Sequence, residues 1–175
     1  MHELLVGLLR RELQDGLPNL AGAEATATIP INDRLLTQVI GSSLPPGAPV
    51  KEIQVHAEDG DRIALKVTLA RPSFLPAIPI ALVVHEQPAL PDNPVLTLRI
   101  SQSAALVAMA ERALRHVALP AGVTIASDLI HIHIQTLLAA RNLESVLNYV
   151  SQVNVHTRAG AVVLQVQARV ARPGS

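Results

Sequence analysis

Five of the seven histidines carry the one spacing in this chain that suggests ligating or reacting groups. His131-x-His133 sets two imidazoles on one side of an extended segment, and His56, His85 and His156 stand in similar alternating stretches. Imidazoles from neighbouring strands could share a divalent cation, because neutral imidazole is the commonest metal ligand. The pattern stops short of a site. Three or four ligands in a defined geometry are required, and no carboxylate recurs nearby at ligand spacing. Each of these histidines also alternates with apolar residues, as a solvated polar face does. Neither a metal nor a cofactor is expected.

The remaining reactive side chains have ordinary uses. Asp33, Asp92 and Asp128 fall near turns or helix starts, where capping is the common role of Asp. Ser42, Ser43, Ser101 and Ser103 lie outside any G-x-S-x-G elbow, and no glycine-rich phosphate loop occurs. The absence of cysteine excludes disulfides, thiolate catalysis and Cys-based zinc sites, and leaves the redox compartment open. Fourteen basic and fourteen acidic residues cancel, which removes the electrostatic attraction that dominates affinity for a phosphate backbone. With one Phe, one Tyr and no Trp, there is little to stack on bases. The expectation is a protein that is not an enzyme and does not bind nucleic acid.

What the chain does supply is aliphatic surface. Apolar residues make up 49% of its 175 residues, and mean hydropathy is +0.34. A chain of this length can bury about 70% of its unfolded surface in a single domain, so residues 1–175 are read as one. Met1, Leu4, Leu5, Leu8 and Leu9 share a helical face, and Gly16 and Pro18 supply the stop, giving an N-terminal amphipathic helix over residues 1–18. Glu3, Arg10 and Arg11 make it unlike a secretory signal. No apolar run approaches the ~18 residues of a membrane span. The expected location is cytoplasmic, peripheral to a membrane; a trimmed signal peptide would leave the same sequence.

Further along, Ala25 to Ile31 reads as a strand, followed by a short helix capped by Asp33 and ending at Gly41. The stretch VKEIQVHAEDGDRIALKV alternates on both sides of an Asp-Gly turn and predicts a hairpin. A second hairpin is expected from Ile78 to Glu86 and Val95 to Ser101. Then the period changes, with Leu106, Val107, Ala110, Ala113, Leu114 and Val117 on one helical face. Ile130, Ile132 and Ile134 alternate again, LESVLNYV makes a short helix, and Val153 to Val170 forms a closing hairpin. Residues 25–70 and 129–170 match in order: Ile29-Pro30-Ile31 with Ile132-His133-Ile134, Leu35-Leu36 with Leu137-Leu138, and Val55-His56 with Val155-His156. This order suggests a β-α-β-β repeat. The fold class expected is α+β, a long curled antiparallel sheet of about six to eight strands wrapped around amphipathic helices.

The segments IPINDRLLTQVIG, VKEIQVHAEDGDRIALKV and IHIHIQTLLAARNLESVLNYVSQVNVHTRAGAVVLQV, together with the central helix, resemble the TULIP superfamily of tubular lipid-binding proteins, in particular its small bacterial phospholipid-binding members. The resemblance runs from about Ala23 to Val170 and implies a non-enzymatic protein that holds acyl chains between a curved sheet and its helices and moves lipid between membranes. On that reading Leu65, Val67, Leu69, Ile80, Leu82, Leu96 and Leu98 line a cavity from the strands, and Leu106, Ala110 and Leu114 line it from the central helix. A packed core would use the same residues. Phe74 and Leu75, framed by Pro72 and Pro76, either plug the core or dip transiently into a membrane surface. The alternative function is an interaction module that forms homo-oligomers through the N-terminal helix.

Overall fold

The computed structural model describes residues 21–42, 44, 46–70, 76–102, 119 and 121–170. The expected N-terminal helix, Phe74 and Leu75, and the helix bearing Leu106, Ala110 and Leu114 lie outside them. Described elements follow the order β1 (Glu24–Asn32), α1 (Asp33–Ser42), β2 (Val50–Glu58), β3 (Arg62–Leu69), β4 (Ile78–Glu86), β5 (Val95–Ile100), β6 (Val123–Ala126), β7 (Leu129–His133), α2 (Ile134–Ala139), a 3-10 helix (Glu144–Asn148), β8 (Val150–Arg158) and β9 (Ala161–Arg169).

Every pairing between these strands is antiparallel. Six strands in the order β2-β3-β4-β5-β7-β6 make a strongly curled half-barrel, and β1-β9-β8 make a second sheet. The fold is therefore dominated by antiparallel sheet. It departs from the expected single sheet of six to eight strands, because the nine described strands divide between two. The division has a local cause. Strand β8 does not pair with β2; two of its outward N–H groups are taken by side chains instead. Val155 N–H donates to Gln87 Oε1 at 2.7 Å and Thr157 N–H to Asp61 Oδ1 at 3.0 Å. A ladder cannot use donors that are already occupied.

Period-two alternation builds the half-barrel. Ile53, Val55 and Ala57 of β2 stand opposite Val67, Leu65 and Ile63 of β3, so one face collects these aliphatic side chains and the other receives Gln54, His56, Ala64 and Lys66. Two irregularities bend it. The register slips between Val50 and Glu52 in β2 and between Val84 and Glu86 in β4, and each such bulge adds local twist. The core on the inner face contains Val50, Val67, Ile80, Leu82, Leu98, Ile100 and Ile130.

Capping of α1 differs from the expectation in one residue. Asn32 provides the cap, its Oδ1 accepting from Leu35 N–H at 2.9 Å. Asp33 turns away to β2, where Oδ1 accepts from Ala57 N–H at 2.9 Å and Oδ2 meets His56 Nδ1 at 2.6 Å. Either residue type can cap a helix. The strand edge beside Asp33 offered it a competing donor.

Candidate apolar-ligand site

All seven strand residues nominated from sequence arrive on one face. Leu69 stands opposite Val50, Val67 opposite Ile53 and Ile78, and Leu65 opposite Val55 and Ile80. Leu82 faces Ile63 and Ile100; Leu98 faces Val84 and Ile130; Leu96 faces Ile132. Directly opposed residues of antiparallel strands share a face, so these pairs trace one aliphatic surface across the half-barrel. Val67, Ile80, Leu82 and Leu98 are buried, while Leu65, Leu69 and Leu96 are half-buried against them. Among the described residues no large side chain is fully sealed from solvent. Sequence reasoning left out Ile100, Ile130, Ile132, Val123 and Ile125, which extend the surface through β7 and β6. Their alternation was visible; what alternation cannot specify is which strand becomes the neighbour of β5.

The three-stranded sheet packs against part of this surface. Val155 and Val162 are buried with Ala57, and Leu36, Ile63, Leu96, Val153 and Leu164 pack around them. Ile63 and Leu96 therefore touch both apolar clusters and join the two sheets into one interior. The junction is tied by backbone as well. Gly160 N–H donates to Ala57 C=O at 2.9 Å, and Thr157 Oγ1 donates to the Glu58 carbonyl.

Histidines occupy the opposite, wet face, each with a partner of its own. His131 Nδ1 lies 3.3 Å from Thr97 Oγ1, and His133 Nε2 lies 3.5 Å from Thr124 Oγ1. Arg99 donates from Nη2 to His85 Nε2 at 2.7 Å, and its Nε stands 3.6 Å from Asp128. His56 meets Asp33, and His156 lies 3.4 Å from Asp61. Strand alternation brings His131 and His133 to the same side, yet their partners separate them. Among the described residues no three His, Asp or Glu side chains converge as a metal set, and no helix is long and apolar enough to cross a membrane. The site that the strands assemble is one of shape and hydrophobicity.

Neither protein-family models, curated proteins nor solved structures gave a match to this chain.

Proposed function

We propose that the protein binds a lipid or another apolar molecule against the inner aliphatic face of the half-barrel, carries out no reaction on it, and exchanges it with membranes by transient contact at their surface. The observation that carries this reading is the convergence of Leu65, Val67, Leu69, Ile80, Leu82, Leu96 and Leu98 on one curved face. An acyl chain needs contact area without directional partners, and a wall of Leu, Ile and Val offers it. In this proposal the helix bearing Leu106, Ala110 and Leu114 covers the face, and its alanines leave room for ligand. Phe74 and Leu75, in the connection between β3 and β4, touch the membrane. Burying two such side chains supplies roughly 1.5 to 3 kcal/mol each, enough for reversible docking and too little for anchoring.

Native mass spectrometry of the purified chain tests binding, and extraction of a fluorescent phospholipid from vesicles tests exchange. Co-purified apolar mass is expected, together with slower extraction by a Phe74→Ser, Leu75→Ser variant whose melting temperature is unchanged. A clean protein mass combined with no extraction would remove the lipid reading and return the chain to the class of interaction modules.

A further inference from the structure

Among the described residues two sheets present four edge strands, β2 and β6 on one, β1 and β8 on the other. Open edges invite pairing with another chain, and proteins ordinarily blunt them. Three of the four are blunted here. On β2, Val55 N–H donates to Thr37 Oγ1 at 3.0 Å and Ala57 N–H to Asp33 Oδ1. On β8, Gln87 accepts from Val155 N–H and donates to Val155 C=O, both at 2.7 Å, and Asp61 and Asp59 accept from Thr157 and Ala159. Strand β6 is short, at 4 residues.

Strand β1 has neither a side-chain cap nor a short length, and the one blunting feature on its outward row is Pro30. It is 9 residues long and almost entirely exposed. Asp33 N–H donates to Gly160 C=O and Val170 N–H to Ala23 C=O, which sets the phase of the β1–β9 ladder. Odd-numbered residues of β1 bond to β9, and Glu24, Thr26 and Thr28 direct their N–H groups outward. Among the described residues nothing accepts from those three donors. Pro30 occupies the next outward position, where a missing N–H costs the sheet nothing. The side chains of Ala25, Ala27 and Ile29 on the apolar side are exposed, Ile29 at 46%.

We propose that β1 is a self-association edge, and that its occupant is β1 of a second copy running antiparallel with Thr26 opposite Thr26. In this register all three outward donors of each chain find carbonyls: Thr26 bonds Thr26, and Glu24 and Thr28 bond each other. Sliding the centre to Thr28 would set Pro30 against Thr26 and leave the Thr26 carbonyl without a donor. The chosen register is also electrostatically quiet. Glu24 faces Thr28 of the other copy, and within its own chain it already holds Arg169, Nη2 to Oε1 at 2.6 Å. Like charges directly opposite, which would oppose pairing, do not arise. Ala25 faces Ala27, and Ile29 faces Ala23, so the apolar side of the merged sheet runs unbroken across both copies. The interface differs from the N-terminal helix and does not depend on the apolar-ligand reading.

Sedimentation equilibrium on the full chain, with Thr26→Pro and Thr26→Cys variants, tests this. Proline at position 26 removes an outward donor and places a ring in the pairing path, while leaving the ladder to β9 intact, as Pro30 does. The expected result is a dimer for the unaltered chain and at least about tenfold weaker association for Thr26→Pro, with an unchanged circular dichroism spectrum. Hydrogen-bonded antiparallel pairs set Cα atoms about 5.5 Å apart, within disulfide reach. Thr26→Cys, in a chain with no other cysteine, should therefore give a covalent dimer on oxidation. Should Thr26→Pro misfold, that crosslink decides. A monomeric unaltered chain, a folded Thr26→Pro variant that still dimerises, or a dimer that Leu5→Glu with Leu8→Glu abolishes and Thr26→Cys cannot crosslink would overturn the proposal.

Discussion

Hairpins β2–β3 and β8–β9 are built alike and used differently. Each slips register after its first residue, between Val50 and Glu52 in one and Val150 and Gln152 in the other. Each turns on a glycine at φ 79, Gly60 or Gly160, a conformation that costs glycine nothing and other residues something. The bulges and turns match in position, as the order of elements in residues 25–70 and 129–170 does. Their surroundings diverge. The edge of β2 is capped by the preceding helix through Asp33 and Thr37, whereas the edge of β8 is capped by Gln87 and Asp61, distant in sequence. The first turn holds one residue more: Glu58 pairs with Arg62, but Arg158 pairs with Ala161. Asp61 falls in the longer turn, at φ 60, and its carboxylate reaches Thr157. A hairpin's backbone thus sets its shape, while a few side chains at its edge and turn decide what it joins.

The largest expected break in this comparison comes from equivalent core positions. Val67 is buried and Val166, its counterpart on β9, is half-buried. Val67→Asp should cost more than about 4 kcal/mol and leave no cooperative urea transition, since it buries an unpaired charge; Val166→Asp should cost about half as much. Equal losses would mean that both hairpins are anchored equally. Next, Gln87→Ala strands both backbone groups of Val155 and should cost about 2 kcal/mol, with Asp33→Ala somewhat below it. If Gln87→Ala proves neutral, water replaces the side chain and the β8 edge is not closed by it. Smaller again is Asp61→Gly, where relief of a left-handed φ offsets part of the lost Thr157 bond and leaves a net cost under about 1 kcal/mol. Smallest is His156→Gln. Its pair with Asp61 is largely exposed, so the melting curve should move by no more than about 0.5 kcal/mol.

Alternation and turn chemistry made most of the strands legible. Ile53, Val55, Ile63, Leu65 and Val67 alternate with polar partners around Asp59-Gly60, and the hairpin forms where expected. The aliphatic face was legible for the same reason: a period of two assigns side chains to faces without reference to neighbours. What alternation could not supply is the order of strands. The insertion of β4–β5 between β3 and β7, and the pairing of β1 with β9, depend on contacts far apart in sequence. Nor could it separate Asn32 from Asp33 as the cap of α1, because both are good caps and only the nearby Ala57 N–H distinguishes them. The split into two sheets was hidden for a similar reason, resting on Gln87, an unremarkable polar residue after β4.

Pairing of β1 with β9 also sets a timetable. Glu24 stands opposite Arg169 in the ladder, so the first described strand to leave a ribosome pairs with the last. At roughly 5 to 20 residues per second, the interval between them is on the order of ten seconds. During synthesis, α1 can dock on β2 and β2–β3 can close, each within a short stretch of chain. Strand β1 must wait for β9 to emerge before its ladder can form. Placing β1 directly after β9 in the sequence would replace that wait with an immediate hairpin.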